Sequence, residues 1–377
     1  MEAGIEASAV PPPAPRFAVR TTTRLSSVGA VAAFGLVAAL VVLPAFADRR
    51  LIQDLFFVLT MLVLAESWNL LAGYAGLLSV GQQAFVGLGG YALFALTIMA
   101  GLDPALAVVL SGVLAGVVAV PTAFIVFRLQ GAYFAIGTWV VAETMRLLLA
   151  QVKQLGGGTG TSLPPAVTGA MVGLDAVRRL FDVRGSAARD VLAYWMALTL
   201  AVVTLGSIYA LLRSRRGLAL AAIRDSELAA ESCGVNAFRT KFLVYVMTAI
   251  LSGSTGALIY LQKARISPDA AFSLLDWTAD VIVIVVIGGI GTLEGPILGV
   301  LVFYALQTYF AATGTWYLML LGGVAIVLML FAPRGLWGLL SERFDIQVFA
   351  LRRTLWKSAA AAPDLRAKTD EKPFSEA

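Results

Sequence analysis

The feature that most constrains this chain is a succession of apolar runs, each long enough to cross a lipid bilayer as a helix. A membrane-spanning helix needs about 20 predominantly apolar residues. Ten such runs are predicted, at 28–46, 51–72, 81–100, 105–127, 132–152, 191–212, 240–261, 277–291, 296–312 and 316–332. Only 14% of the residues are charged, against about 25% in a soluble domain. We therefore predict an all-α, polytopic membrane protein with about ten spans; eight to ten are allowed, because the eighth run is short and the third could be re-entrant.

The distribution of basic residues predicts the orientation of the spans. Cytoplasmic loops of membrane proteins carry an excess of Lys and Arg. With ten spans and a cytoplasmic N-terminus, the inner segments hold 18 of these residues and the outer segments hold 9. Both termini are then expected to be cytoplasmic.

Three regions are predicted along the chain: a cytoplasmic extension at 1–24, a transmembrane domain at 25–335 and a cytoplasmic tail at 336–377. The extension contains a proline cluster and is expected to be disordered, as are the last residues, 358–377, which are rich in Ala, Pro and charge. The first apolar run ends in Pro44-Ala45-Phe46-Ala47, which resembles a signal-peptidase site. A cleaved signal peptide is therefore the alternative to a first span.

The residue inventory excludes several classes of function. The chain contains no His and a single Cys, Cys233, so an intramolecular disulfide, a cysteine metal cluster and His-based catalysis are excluded. The glycine-rich stretch at 156–161 lacks the Lys-Ser/Thr ending of a phosphate-binding loop. We therefore predict no catalytic residue, no bound cofactor and no metal site.

The stretch from Trp68 to Tyr91 interrupts the apolar pattern with six glycines and several uncharged polar residues. Broken backbone at membrane depth is tolerated only where it is buried in protein or lines a wet cavity. This predicts a pathway-lining element of a transporter. The alternative is a close, glycine-mediated helix contact with no substrate nearby, and the two can coexist.

A second segment, 282–300, shows the same pattern of apolar runs interrupted by glycines in the other half of the chain. Two glycine-interrupted segments suggest an internal duplication, with a site between the repeats. The positions do not correspond cleanly, however, because one segment lies between the second and third spans and the other between the eighth and ninth. Glu66 has no charged partner at helical spacing and should face the protein interior or a polar cavity, close to Asn69, because a charge at mid-membrane is costly. The residues predicted to line the pathway are Glu66, Asn69, Gly73, Tyr74, Gly76, Ser79, Gln82, Gly288, Gly289, Gly291, Thr292 and Glu294.

Two segments outside the spans are long enough to have a role of their own. The segment at 154–189, predicted to be extracytoplasmic, closes with a mixed-charge stretch that could form a short surface helix. The cytoplasmic loop at 213–241 is the more charged one. Ser226 can cap a helix there that has Glu227 in its first turn, and Gly234 with Asn236 can end it. Such a helix suits docking to a soluble partner; the alternative is a solvated connector.

Several motifs together resemble the permease subunits of branched-chain amino acid ABC importers. The match covers roughly residues 55 to 335, and three motifs occur in the order typical of that family. The motifs are NLLAGYAG at 69–76 with LSVG at 78–81 and FVGLGGY at 85–91, RDSELAAE at 224–231 followed by Gly234, and GGIGTLEGP at 288–296. One departure is Gln82, where the family usually has a His that could be protonated.

The resemblance implies a type II importer-like permease in a bacterial inner membrane, with no enzymatic activity of its own. ATP would be used by two separate ATP-binding cassette subunits, because the chain has no Walker A sequence. A second, homologous permease subunit, an extracytoplasmic solute-binding protein and the lipid bilayer are the other implied partners, and nucleic acid is not. The residues implied to couple the chain to the ATPases are Glu227, Ala229, Ala230, Glu231 and Gly234.

Other transport functions remain open at the level of the sequence. Urea and short amides are carried by similar permeases. A branched-chain amino acid is therefore predicted as the substrate only because it is the more frequent one in the family. An ion-gradient-driven secondary transporter could use the Glu66 carboxylate, but it would not need a docking loop at 213–241. A passive channel is disfavoured, because no ring of like charge and no filter sequence is evident.

Overall fold

The structure, a computed structural model, describes residues 17–20, 24–169, 171–181, 185–310, 315–332, 334–344 and 354–357. This part of the chain is almost entirely helical. Its helices are α1 (Arg24–Val42), α2 (Arg49–Asn69), α3 (Gln82–Ile98), α4 (Pro104–Val126), α5 (Ala132–Ala150), α6 (Pro165–Gly169), α7 (Leu174–Phe181), α8 (Gly185–Arg213), α9 (Arg215–Asp225), α10 (Glu227–Ser232), α11 (Ala237–Lys263), α12 (Pro268–Ala271), α13 (Asp280–Gly288), α14 (Gly295–Phe310), α15 (Thr315–Phe331) and α16 (Gly335–Phe344).

Shorter elements connect these helices. Two π-helical turns, Leu70–Tyr74 and Leu275–Ala279, continue α2 and precede α13. The 3-10 turns are Leu43–Ala45, Lys153–Leu155 and Gly157–Thr159. The described residues also include four strands, β1 (Phe17–Arg20), β2 (Thr161–Ser162), β3 (Arg265–Ile266) and β4 (Thr354–Lys357), which form two antiparallel pairs, β1 with β4 and β2 with β3.

Each of the ten predicted apolar runs is mainly helical over its described residues, which confirms the all-α, polytopic membrane architecture. Six helical segments of the described chain are long and apolar enough to cross a membrane. They are Arg49–Tyr74, Pro104–Val126, Ala132–Ala150, Gly185–Arg213, Ala237–Lys263 and Pro268–Gly288. The pair Met319–Phe331 and Gly335–Ser341, bent by 40°, makes a seventh if the two helices are counted as one span. The apolar helices Val31–Ala45, Gln82–Ile98 and Gly295–Phe310 are shorter.

Some boundaries differ from the sequence prediction. The eighth run was expected to be short, but the apolar segment that contains it reaches back through the π turn and α12 to Pro268 and has 21 residues. Helix α8 begins at Gly185, inside the predicted outer segment, and α7 is the short helix expected there. Strand β1 lies within the extension predicted to be disordered; the rest of 1–23, like 358–377, lies outside the described residues.

Small residues allow the central helices to pack closely. A side chain on Gly256 of α11 would collide with the backbone of Val86 in α3, and one on Gly89 would collide with Gly253. Glycine at such positions lets helix backbones approach closely, which is how helices associate in membranes. The second half of the 68–91 stretch therefore makes close, glycine-mediated helix contacts.

A buried carboxylate joins three helices at one end of the bundle. The Asp190 side chain of α8 is 3% exposed. It accepts hydrogen bonds from Arg49 Nε at 2.5 Å, from Gln53 Nε2 at 3.0 Å and from Gln262 Nε2 at 3.0 Å. These four residues, here called the Asp190 cluster, tie α2 and α11 to α8.

Candidate functional site

The two glycine-interrupted segments meet at the other end of α2. Asn69, the last residue of that helix, donates from Nδ2 to the carbonyl oxygen of Thr292 at 2.8 Å. Its Oδ1 accepts from the backbone N–H of Gly291, also at 2.8 Å. A single buried amide thus satisfies two backbone groups of a segment more than 200 positions away. We call this contact the glycine crossing, formed by Asn69, Gly73, Gly291 and Thr292.

The crossing is a contact between two backbones. A Cβ atom on Gly73 would lie 2.6 Å from Gly291 N and 2.8 Å from Gly291 Cα, which is closer than any side chain can come. Gly291 has a φ of +77°, a left-handed conformation that glycine adopts without steric cost. Glycine is therefore required at both positions, but for different physical reasons: the close approach of another backbone at Gly73, and the left-handed backbone conformation at Gly291.

The polar groups at the crossing are not all satisfied within the chain. Glu66 is fully buried, as predicted, and precedes Asn69 by three positions in the same helix. Among the described residues, no group reaches either Glu66 carboxylate oxygen with hydrogen-bonding geometry, and the buried Tyr74 hydroxyl lacks a partner too. Buried polar groups are nearly always hydrogen-bonded, so these oxygens are available to water or to a ligand.

Two other predicted pathway residues, Ser79 and Gln82, take part in helix packing. The Ser79 carbonyl accepts from Trp68 Nε1 at 2.8 Å, which folds the 75–81 connection back onto α2. Gln82 Nε2 donates to the carbonyl of Leu64 at 2.8 Å and to Ser252 Oγ at 3.4 Å. Both side chains are buried, and these bonds go to α2 and α11.

The remaining predicted residues lie around the crossing in different settings. Gly288 packs against the carbonyl of Gly295. Gly289 lies against the Arg334 carbonyl, 2.6 Å from where its Cβ would be, and has a φ of +130°. Gly76 is exposed, with a φ of +69°. The structure therefore brings together Glu66, Asn69, Gly73, Tyr74, Gly291, Thr292 and Glu294, and leaves the others at the margin.

Sequence reasoning missed one residue of this site, Arg224. Its Nη1 donates to the carbonyl oxygen of Gly73 at 3.0 Å, and a Cβ on Gly291 would lie 3.4 Å from the same nitrogen. Arg224 was assigned only to the cytoplasmic loop motif, and no spacing in the sequence connects position 224 with position 73.

The loop at 213–241 has the cap and the helix end that were predicted. Ser226 Oγ accepts from the backbone N–H of Ala229 at 3.4 Å and caps α10. Gly234 has a φ of +83°, the conformation that favours glycine after a helix. Helix α10 ends at Ser232, two residues before Gly234, and the exposed thiol of Cys233 follows it. Helix α9, which fills the first part of the loop, was not predicted.

The structure corrects the role expected for Ala230. Its side chain is 3% exposed and packs on Ile223 of α9 and Ala237 of α11, so it faces the chain itself. The prediction failed because α9 supplies a packing surface that the sequence did not reveal. Ala229 and Glu231 are exposed, and Leu228 is 80% exposed. Glu227 forms an ion pair with Lys241, 2.7 Å from Oε1 to Nζ.

An open cleft lies beside the end of α10. Its volume is about 410 Å³. The residues that line it are Glu231, Gly234, Val235, Asn236, Ala237 and Phe238. Together with the exposed side of α10, this cleft offers a partner both apolar and charged contacts.

Comparisons with known proteins cover both the crossing and the loop. The family described as "Branched-chain amino acid transport system / permease component" matches residues 50–330. The high-affinity branched-chain amino acid transport system permease protein LivM of Escherichia coli K12 is 28% identical over 331 residues, 78% of this chain and 77% of the relative. The LivM protein of Salmonella typhimurium LT2 is also 28% identical, over 333 residues, with the same coverage. No solved structure matches the chain.

Proposed function

Because the chain belongs to the family of permease components of branched-chain amino acid transport systems, we propose that it forms part of the translocation pathway of an ATP-driven importer for branched-chain or related small amino acids. The chain is a multi-pass membrane protein. A second permease subunit completes the pathway, an extracytoplasmic binding protein delivers the substrate, and two separate ATPase subunits hydrolyse ATP. Both termini are placed on the cytoplasmic side, and the membrane is the bacterial inner membrane.

The observation that carries this proposal is the glycine crossing. Broken helices with buried, incompletely satisfied polar groups are expected where a polar substrate passes through a membrane protein. Glu66 and Glu294 are acidic, and Tyr74 offers a hydroxyl, so the site can stabilise the ammonium group of an amino acid. Asn69 already uses its amide to hold Thr292 and Gly291, and therefore shapes the site.

The exposed side of α10 supports the docking of an ATPase. Leu228 is a large apolar side chain that is 80% exposed on a short helix outside the spans. Exposed apolar groups rimmed by polar residues mark protein interaction sites. Ala229 and Glu231 lie on the same short helix, and the cleft at Phe238 adjoins it. The docking surface therefore consists of exposed α10 residues and the cleft, and Ala230 supports it from inside.

Co-purification tests this proposal directly. A tagged chain, expressed with its partner subunits and extracted in mild detergent, should bring the ATPases with it and should transport leucine in proteoliposomes only with ATP inside. Leu228→Asp should remove the ATPases without loss of the folded chain, whereas Leu218→Asp on α9, also exposed, serves as the matched control. Uptake driven by a proton gradient without ATPases would instead establish a secondary transporter that uses Glu66.

The substrate is tested in the same vesicles. Valine, isoleucine and leucine should compete with labelled leucine, while urea and acetamide should not. Competition by the amides alone would assign the chain to the amide-carrying permeases.

A further inference from the structure

The loop that carries the proposed docking helix is a compact unit. Ile223, Ala230 and Ala237 are each less than 5% exposed and pack together, which joins α9, α10 and the start of α11. The ion pair between Glu227 and Lys241 links α10 to α11 a second time. A force applied to α10 therefore moves α9 with it, because the three helices share one small core.

Arg224 extends from this unit to the membrane-spanning part of the chain. It is the second-last residue of α9, and Ser226 two positions later caps α10. Its guanidinium donates to the Gly73 carbonyl at 3.0 Å across 151 positions of sequence. The remaining side of the guanidinium faces Asp225, with 3.9 Å between Nε and Oδ1, and the arginine side chain is 46% exposed.

The acceptor of this hydrogen bond is a carbonyl at the broken end of a helix. The last carbonyls of a helix have no partner within it and need one elsewhere. In the π turn after α2, the carbonyls of Leu70 and Leu71 accept from Ala75 and Leu77, whereas the Gly73 carbonyl accepts from Arg224. Hydrogen bonds from a charged donor are about twice as strong as neutral ones, so this contact holds the turn in one position.

We propose that Arg224 transmits the motion of the docking helix to the glycine crossing, acting as a positioning residue through its hydrogen bond to the Gly73 carbonyl. This inference rests on the proposed function, since it assumes that an ATPase moves α10. When α9 and α10 shift together, the guanidinium pulls on or releases the Gly73 turn. Gly73 is in backbone contact with Gly291, so the displacement reaches both broken segments at once.

The test compares three substitutions in the complete importer. Arg224→Met removes the donor and keeps a stem of similar shape, and Arg224→Lys keeps a cationic donor. Arg216→Met, on the exposed side of the same helix, is the matched control. ATPase co-purification, ATP hydrolysis and leucine uptake are measured on one proteoliposome preparation of each variant, together with the thermal unfolding midpoint.

Arg224→Met should keep its ATPase subunits and hydrolyse ATP within about twofold of the unchanged chain, while uptake per ATP hydrolysed falls about tenfold, because the charge-assisted hydrogen bond that holds the turn is lost. Arg224→Lys should restore most of the uptake, and Arg216→Met should change neither rate. This separation of hydrolysis from uptake is a readout that a purely structural role would not produce.

Two results would overturn the proposal. Normal uptake per ATP in Arg224→Met would show that the hydrogen bond transmits nothing, and parallel loss of ATPase binding and uptake would show that Arg224 only shapes the docking surface. If Arg224→Met does not assemble, Arg224→Gln, which is polar but shorter, is measured in its place, and its uptake per ATP hydrolysed is interpreted in the same way. Failure of the proposed function is distinct, because the unchanged chain would then neither bind ATPases nor transport with ATP.

Discussion

The two ends of α2 are held by contacts of different kinds. At the Arg49 end, three side chains converge on the buried carboxylate of Asp190, so these contacts are between side chains, all share a carboxylate acceptor, and one of them is an ion pair. At the Asn69 end, a neutral amide bonds two backbone groups of a broken segment, and glycine backbones touch directly. The same helix therefore has a side-chain anchor at one end and a backbone contact at the other.

The difference assigns different tasks to the two ends. The Asp190 cluster joins three regular helices, and charge-assisted hydrogen bonds are the stronger kind, so this end keeps α2, α8 and α11 in a fixed arrangement. The crossing joins irregular backbone and contacts the loop through Arg224. We therefore expect substitutions in the Asp190 cluster to reduce stability, and substitutions at the crossing to reduce transport as well.

The largest effect is expected for Gly73→Val. Its Cβ would overlap Gly291 N and Cα, and the neighbour is backbone, which cannot move aside as a flexible side chain can. Overpacking of this kind costs about 3 kcal/mol or more, and the folded chain should be lost from detergent extracts analysed by size-exclusion chromatography.

The control for Gly73→Val is Gly206→Val in α8, where the added side chain meets open space; this variant should behave normally. A Gly73→Val chain that folds and transports would contradict the backbone contact.

A slightly smaller loss of stability is expected for Asp190→Leu. The substitution leaves Gln53, Gln262 and Arg49 without their acceptor, and breaking a buried pair costs about 3 kcal/mol. Thermal unfolding in detergent should show this loss, whereas uptake per folded molecule at low temperature should stay close to normal. Arg49→Gln should cost less than about 1 kcal/mol, because Arg49 is 52% exposed. A strong loss of uptake in folded Asp190→Leu would remove the distinction between the two ends.

Asn69→Leu should have the opposite profile. It leaves the Thr292 carbonyl and the Gly291 N–H unpaired, a cost of about 2 kcal/mol, and it releases the second broken segment from α2. Uptake should fall by about tenfold while membrane insertion and ATPase association are retained. Gln53→Leu removes the same kind of amide from the other end of α2 and should leave uptake unchanged. Equal effects of the two variants on uptake would contradict the different roles assigned to the two ends of α2.

A smaller effect than that of Asn69→Leu is expected for Gln82→Leu. It removes the hydrogen bond to the Leu64 carbonyl, but the Gln82 Oε1 atom already lacks a partner among the described residues, so less is lost than at Asn69. A cost of about 1 kcal/mol is expected, with uptake reduced less than in Asn69→Leu. A larger loss of uptake than in Asn69→Leu would place the substrate nearer to α3 than to the crossing.

The sequence predicted the fold well because the signals that define it are local. Apolar runs of spanning length reveal helices directly, and the Ser226 cap and Gly234 end were correct because capping depends on a few neighbouring residues. The interior position of Glu66 followed from the cost of exposing a carboxylate to lipid. Each of these predictions needed only a short window of sequence.

The errors have a common physical origin in long-range contacts. That Asn69 reaches Thr292, that Arg224 reaches Gly73 and that Ala230 packs on Ile223 depend on the three-dimensional arrangement of helices far apart in the chain. Repeated glycine patterns hinted that the two broken segments are related, but they could not show that the segments touch. Helix α9 was missed because its apolar stretch, 217–223, is short and charged residues flank it on both sides.

The exposed thiol that follows α10 has a practical consequence. Cys233 is the only cysteine in the whole sequence and lies in the loop unit, between Ser232 and Gly234. A maleimide fluorophore added to the unmodified chain therefore labels a single position, and thiols are best modified where they are exposed. Without any engineered residue, changes in the emission of this probe can follow the arrival of an ATPase, and each nucleotide-dependent step after it, in real time.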